Sequence, residues 1–195
     1  TVHDPTGETL TSTSIKSGKE HKSQCCIFGT CKPCCEGNVC REDKRSHPII
    51  FLHGHSFLSW NSPEYSLDAF NTIQSRLGDE GYISAGVVLP TSSMSSVAEG
   101  EWGRSGVPVT VKATYYYNVY DENGRLINRP SNTESISTYA DRLKDVIDLV
   151  KHHTGRNKGN IVAHSMGGLV AREYIRKYGT SSVDKFIMIG TPNKG

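Results

Sequence analysis

One serine, Ser165, lies between small residues at the point where an apolar run changes into a helical pattern. The stretch reads AHSMGG over residues 163–168. A strand that reverses sharply into a helix strains the residue at the turn and leaves room only for small side chains two positions away. Ala163 and Gly167 meet that requirement, and Gly168 lets the helix pack close to the sheet. The pattern predicts a nucleophilic serine at a helix N-terminus, where negative charge is stabilised; the alternative is a serine that only caps the helix.

A second chemical feature is the pair His53-Gly54, which directly follows the apolar run PIIFL. Acyl transfer needs backbone N–H donors aimed at the developing oxyanion, and one commonly comes from a loop in this position. The residue after the pair, His55, would supply one N–H group and Met166 the other. Alone, His-Gly is an ordinary glycine turn, but together with Ser165 it favours an oxyanion loop.

The elements that must position these residues alternate between strand and helix patterns. Continuous apolar runs predict buried parallel strands, and apolar stripes at helical spacing predict helices. Strands are predicted over 48–53, 82–90, 158–164 and 183–192, and helices over 62–82, 131–155 and 166–179. This alternation predicts an α/β fold built on a doubly wound, mostly parallel sheet.

Two of these helices have definite predicted ends. The helix over 131–155 should begin at Ser135 or Thr133 and end at Gly155. The helix over 62–82 should end at Gly78 or Gly81. Its apolar residues Leu67, Phe70, Ile73 and Leu77 recur at helical spacing.

The segment between the second strand and the long helix has a different composition. Residues 91–106 have the polar and turn-forming residues of a loop, and residues 108–120 are rich in β-branched and aromatic residues. The latter predict a strand, with a hairpin turn near Asn123-Gly124. The aromatic residues of 100–106 and 114–120 would either line an acyl site or lid, or pack a strand pair. For the tyrosines the strand pair is favoured.

All six cysteines fall within residues 25–40, and none follows. They are Cys25, Cys26, Cys31, Cys34, Cys35 and Cys40. Such density predicts a small segment stapled by disulfides. Six cysteines allow fifteen pairings, and the sequence does not choose among them. Metal binding is one alternative, since CKPC has a zinc-knuckle gap and His21 and His47 flank the segment, and free thiols are the other. Disulfides imply an oxidising compartment, hence an extracellular or cell-surface protein.

Composition sets broad limits on the 195-residue chain. The 22 basic and 20 acidic residues are nearly balanced, which gives no support for nucleic-acid binding. No apolar run is long enough for a membrane span. The predicted organisation is a polar tail or linker over 1–24, the stapled segment over 25–40 and a partial globular domain over 47–195.

Residues 47–195 resemble the N-terminal, nucleophile-bearing part of an α/β-hydrolase of the lipase/esterase group. The matching pieces are PIIFLHGHS, ISTYADRLKDVIDLVKHHTG, NIVAHSMGGLVAREYIRKYG and VDKFIMIGTPNKG. Ala163 at the first position of the elbow resembles secreted Bacillus-type lipases. The resemblance implies Ser165 as the nucleophile and the N–H groups of His55 and Met166 as oxyanion donors.

The resemblance also implies an acid and then a histidine after the serine. Only Glu173 and Asp184 follow Ser165 as acids, and no histidine follows it. Glu173 lies on the helix that the serine begins, and Asp184 begins a strand, so neither is expected to serve. The upstream histidines are expected to be structural; they are His53, His55, His152, His153 and His164. The acid and base are therefore expected beyond residue 195, in a sheet that continues past this chain.

The expected function is a serine carboxylic-ester hydrolase that forms an acyl-enzyme on Ser165 and needs neither metal nor organic cofactor. Its expected substrates are acyl lipids or hydrophobic esters, with transient contact with a lipid surface. An acyltransferase or lipid deacylase on the same scaffold is one alternative. A non-catalytic, cysteine-stapled binding protein is the other.

Overall fold

The computed structural model describes residues 23–35, 39–55, 63–90, 94–122, 125–131 and 133–194. The strands are β1 (Gln24–Ile27), β2 (Thr30–Pro33), β3 (Ile49–Leu52), β4 (Ile83–Val88), β5 (Val109–Ala113), β6 (Tyr117–Glu122), β7 (Arg125–Pro130), β8 (Gly159–His164) and β9 (Val183–Ile189). The α-helices are α1 (Val39–Glu42), α2 (Asn71–Asp79), α3 (Ile136–Thr154) and α4 (Met166–Tyr178). Short 3₁₀ helices cover Lys44–Ser46, Pro63–Phe70, Met94–Ser96 and Glu101–Gly103.

Five strands form one parallel sheet in the order β4-β5-β3-β8-β9. The central strand β3 pairs with β5 on one side and β8 on the other. The predicted doubly wound parallel sheet is therefore confirmed. Because all five strands run the same way, the carboxyl ends of β3, β5 and β8 meet at one edge, which is where Ser165 lies.

The core lies on both faces of this sheet. On one face, buried side chains of α3 and α4 pack against those of β3, β5 and β8. The helices contribute Leu143, Ile147 and Val170, and the strands contribute Ile50, Val111 and Ile161. On the other face, Phe51 and Val162 of the sheet pack against Leu67 and Phe70. Phe51 and Phe70 place their ring centroids 5.0 Å apart. This apolar burial on both faces holds the central strands in register.

The segment predicted as one helix over 62–82 is divided. A 3₁₀ helix covers its first part and α2 follows. The buried side of the segment passes from Phe70 to Gln74, whose Nε2 donates to Thr110 Oγ1 at 3.0 Å, while Ile73 is 41% exposed. Ile73 shares the helical spacing of Leu67, Phe70 and Leu77 but lies outside the buried stripe, because the change from three to 3.6 residues per turn shifts that stripe.

Helix α3 begins and ends as its sequence predicts. Ser135 is the N-cap, and its hydroxyl accepts the N–H of Thr138 at 3.1 Å. Gly155 ends the helix in the left-handed conformation with φ of 63°. Of the two predicted caps, the structure selects Ser135 over Thr133.

The aromatic run over 108–120 is two strands and not one. β5 enters the parallel sheet, residues 114–116 leave it, and β6 then pairs antiparallel with β7. The predicted hairpin is present, although its turn at Asn123-Gly124 lies outside the described residues. The loop predicted over 91–106 contains two of the short 3₁₀ helices named above, Met94–Ser96 and Glu101–Gly103.

The cysteine segment forms a hairpin closed by disulfides. β1 and β2 pair antiparallel, and the three bridges are Cys25–Cys34, Cys26–Cys31 and Cys35–Cys40. The disulfide prediction is confirmed. Among the described residues no group of three or more His, Cys, Asp or Glu side chains could hold a metal ion. Residues 1–22, which include His21 and most of the tail predicted over 1–24, lie outside the described part of the chain.

The hairpin packs directly on the parallel-sheet domain. Ile27 is buried in the main core, and the ring of Phe28 meets Trp102 edge-on at 5.4 Å. The N–H of Cys35 donates to the carbonyl of Arg104 at 2.7 Å. In the segments that the structure covers, no helix has the length and apolarity to cross a bilayer.

Candidate active site

Ser165 occupies the junction between β8 and α4. Its backbone has φ of 49° and ψ of −123°, a combination that is strained for any residue with a side chain. Its N–H donates to the carbonyl of Ile189 at 2.8 Å, and its own carbonyl accepts the N–H of Gly168 at 3.0 Å. These bonds to β9 and α4 hold the strained conformation, and the side chain is only partly buried.

Close backbone contacts join the serine turn to the loop after β3. A Cβ on Gly54 would lie 2.9 Å from Ser165 Cβ. A Cβ on Gly167 would lie 2.4 Å from the carbonyl oxygen of His53, and one on Gly168 would lie 2.0 Å from Thr191 Oγ1. At Gly54 and Gly167 a Cβ would force the backbone to shift, so the loop after β3 and the serine turn pack directly against each other, while Gly168 packs on Thr191 after β9.

The two candidate oxyanion donors lie on the two sides of this contact. Met166 is the first residue of α4, so its N–H has no acceptor within the helix. His55 follows Gly54 in the loop and has an exposed side chain. The structure thus brings His55, Met166 and Ser165 to one edge of the sheet, while their catalytic roles remain a prediction.

A set of buried polar side chains lies beneath the loop. His53 is fully buried; its Nδ1 lies 2.7 Å from the carbonyl oxygen of Gly54 and its Nε2 lies 2.9 Å from Thr114 Oγ1. The hydroxyl of Tyr115 donates to the carbonyl of His53 at 2.8 Å, and the hydroxyl of Tyr116 lies 3.2 Å from His55 Nδ1. Three consecutive residues at the end of β5 therefore bind the loop that follows β3.

The sequence does not predict this role of the tyrosines. Its pattern favours Tyr115 and Tyr116 as residues that pack a strand pair, whereas both lie between β5 and β6 and are buried. Burial raises the pKa of the Tyr115 phenol well above its ordinary value, with the neighbouring phenols of Tyr116 and Tyr139 acting in the same direction. The neutral phenol is therefore the form that donates to His53. The signal available in sequence was a polar aromatic run at the end of an apolar strand.

The acids that follow Ser165 are held elsewhere. Glu173 accepts two hydrogen bonds from Arg176, which lower the pKa of its carboxyl group. Asp184 lies at the start of β9, where it faces His47 with Nδ1 3.5 Å from Oδ2. β8 and β9 pair from Gly159 with Val183 to His164 with Ile189. At about 3.3 Å of rise per residue, this register puts Asp184 roughly 17 Å from Ser165.

The remaining histidines of the prediction also have defined places. His152 Nε2 lies 3.3 Å from the carbonyl oxygen of Val97, and His153 is buried with its ring 4.5 Å from that of Trp102. His164 ends β8 with an exposed side chain, and its Nδ1 lies 3.0 Å from where a Gly54 Cβ would be. His152 and His153 thus join the end of α3 to the loop over 94–103; they precede the start of β8, whereas Ser165 follows its end.

Comparison with known families agrees with this architecture. Residues 119–195 match the family model described as the alpha/beta hydrolase fold. The chain has the α/β-hydrolase fold. The matched part of the chain contains β8, Ser165 and α4, and the structure adds β3, β4 and β5 to the same sheet. No curated protein matches the chain. The α/β-hydrolase superfamily is largely enzymatic, while the fold by itself leaves the reaction open.

Proposed function

We propose that the protein is a serine carboxylic-ester hydrolase that forms an acyl-enzyme on Ser165. One observation carries the proposal: Ser165 has a strained backbone at a strand-to-helix turn, and the His53–His55 loop packs against that turn. Strain of this kind persists only where surrounding structure enforces it, and it concentrates at functional sites. A merely helix-capping serine would have an extended backbone and accept an N–H from its own helix; Ser165 makes no such side-chain bond.

The proposed chemistry follows from the placement of the groups. The Ser165 hydroxyl attacks the ester carbonyl carbon, its proton passes to a base, and the carbonyl oxygen becomes an oxyanion. The N–H groups of His55 and Met166 stabilise that oxyanion, aided by the positive end of α4. Collapse of the intermediate expels the alcohol and leaves the acyl group on Ser165, which water then releases as the acid.

The acid and base of the triad are proposed to lie downstream of residue 195. Glu173 is bonded to Arg176, Asp184 lies near the start of β9 beside His47, far from Ser165, and no histidine follows Ser165 in the sequence. A serine without a base is a weak nucleophile at neutral pH, and removal of triad members leaves little catalysis. We therefore expect residues 1–195 alone to hydrolyse p-nitrophenyl esters poorly or not at all.

The resemblance to the lipase/esterase group favours acyl lipids or hydrophobic esters as substrates, reached by transient contact with a lipid surface. The three disulfides indicate an oxidising environment. We propose that this environment is extracellular or at the cell surface.

The proposal is tested on the protein expressed from its complete open reading frame. Esters of increasing acyl length are offered to the wild-type protein and to the Ser165→Ala variant, with Ser84→Ala as a control at another serine. Hydrolysis that Ser165→Ala abolishes and Ser84→Ala preserves supports the hydrolase. Preferential transfer of the acyl group to an added alcohol over water indicates an acyltransferase instead. Ester binding without turnover in the wild-type protein indicates the non-catalytic binding protein.

A further inference from the structure

We propose that residues 114–116, hereafter the bracket, are positioning residues that set the direction of the oxyanion-donating N–H of His55. This inference rests on the proposed hydrolase function. Its physical basis is a hydrogen-bonded connection from the end of β5 through His53 to the peptide group between Gly54 and His55.

The first step is the protonation state of the His53 ring. The carbonyl of Gly54 can only accept a hydrogen bond, so the proton lies on Nδ1 of His53. In the neutral ring Nε2 is then an acceptor, and the hydroxyl of Thr114 donates to it. The Thr114 oxygen in turn accepts the N–H of Tyr116 at 3.3 Å. Thr114 therefore gives Nε2 a donor in the tautomer that the Gly54 carbonyl requires, and it anchors the ring in that position.

The second step uses the planarity of the peptide group. The Gly54 carbonyl and the His55 N–H belong to one trans peptide unit, in which they point in opposite directions. A ring that fixes the carbonyl therefore fixes the N–H. Because His53 is fully buried, its ring cannot swing away and release the peptide.

The two tyrosines of the bracket hold the loop at its other points. Tyr115 donates to the His53 carbonyl and stacks on the His53 ring, with centroids 4.3 Å apart and an interplanar angle of 17°. Tyr116 reaches the imidazole of His55 itself. The loop is thus held at His53 and His55, the residues on either side of Gly54, whose carbonyl belongs to the same peptide group as the His55 N–H.

Helix α3 supports the bracket from behind. Arg142 is buried and donates from Nη1 to the carbonyl of Tyr115 at 3.0 Å. The ring of Tyr139 packs against both tyrosines, at 5.1 Å from Tyr115 and 5.3 Å from Tyr116. A rigid support of this kind is what pre-organised stabilisation of an oxyanion requires.

The test removes one hydroxyl group at a time from the protein expressed from its complete open reading frame. Thr114→Val and Tyr116→Phe each remove a hydroxyl group, whereas the conservative Thr114→Ser keeps the hydroxyl and removes only the methyl group. Tyr178→Phe is a matched control remote from the loop. The rate of acylation and the separate values of kcat and KM are measured with a p-nitrophenyl ester. Thermal unfolding of each variant shows whether it is folded.

We expect Thr114→Val and Tyr116→Phe to lower kcat about 10- to 100-fold with KM nearly unchanged, because the oxyanion forms only in the transition state. Thr114→Ser should restore kcat to within about threefold of wild type, since the hydroxyl returns. Tyr178→Phe should leave kcat unchanged. Folded Thr114→Val and Tyr116→Phe variants with wild-type kcat, or a loss confined to KM, would overturn the inference. If the wild-type protein itself forms no acyl-enzyme, the hydrolase proposal fails first.

Discussion

Gly54 and Ser165 approach so closely that a Cβ on the glycine would lie 2.9 Å from the Cβ of the serine. The contact joins two segments that are more than 100 residues apart in sequence. It explains why the loop after β3 needs glycine although Gly54 does not have a positive φ. The serine turn and the loop therefore form one packed unit, in which a change on one side displaces the other.

The glycines of this unit should not tolerate a methyl group. In Gly167→Ala the new Cβ would meet the His53 carbonyl at 2.4 Å, and backbone cannot move away cheaply. We expect a loss of about 1–3 kcal/mol in the free energy of unfolding, as for other overpacked sites. Urea denaturation measures the loss.

Gly78→Ala is the matched control, because a Cβ there meets nothing within 4 Å in the helical segment α2. It should be neutral or stabilise by up to about 1 kcal/mol, since alanine favours the helix. Equal stability of Gly167→Ala and wild type would contradict the close contact described here.

The disulfide pairing makes a second prediction. Cys25 and Cys34 are nine residues apart and join β1 to the end of β2. Replacing both by serine should lower the free energy of unfolding by about 2–4 kcal/mol, because the unfolded chain regains freedom and buried Cys25 loses its partner. Urea denaturation of the double variant, compared with the Cys26→Ser, Cys31→Ser variant, measures the effect.

Thiol alkylation of the unfolded, unreduced protein checks the pairing itself. No cysteine should react, and peptide mapping should recover the three bridges. Six reactive thiols together with released zinc would instead establish the metal-binding alternative.

The contact between α3 and α4 predicts a pH dependence. The Tyr178 hydroxyl donates to the Asp141 carboxylate, which also pairs with Lys177, and the bond to Asp141 raises the pKa of Tyr178 to about 12. Because the folded state favours the neutral phenol, the stability it contributes is complete below about pH 10, the pKa of an unfolded tyrosine. That contribution is lost as the pH rises through about 12.

Ultraviolet absorbance of the phenolate follows this ionisation. Asp141→Asn should bring the pKa of Tyr178 back towards its ordinary value, and Tyr178→Phe should remove that transition. A titration curve that is the same in wild type and in Asp141→Asn would show that Asp141 does not control Tyr178.

The sheet and the serine turn could be predicted because their patterns are local. The apolar runs of β3 and β8 and the small residues around Ser165 express constraints that act within a few residues. Cap residues such as Ser135 and Gly155 are equally local, so the limits of α3 followed from the sequence.

The features that sequence could not show depend on distant partners. Residues 114–116 look like a continuation of β5, and only the fold brings them beneath the loop that begins 61 residues earlier in the chain. Ile73 has the spacing of the buried residues but is exposed, because the change from 3₁₀ to α-helix moves the buried stripe, and periodicity alone does not reveal that change.

Covalent labelling of Ser165 tests most directly whether this serine is the nucleophile. The protein expressed from its complete open reading frame is treated with a fluorophosphonate probe, and the modified peptide is identified by mass spectrometry. We expect one phosphonylated residue, Ser165, and no labelling of the Ser165→Ala variant. An unlabelled wild-type protein, or labelling that persists at another serine in Ser165→Ala, would contradict it.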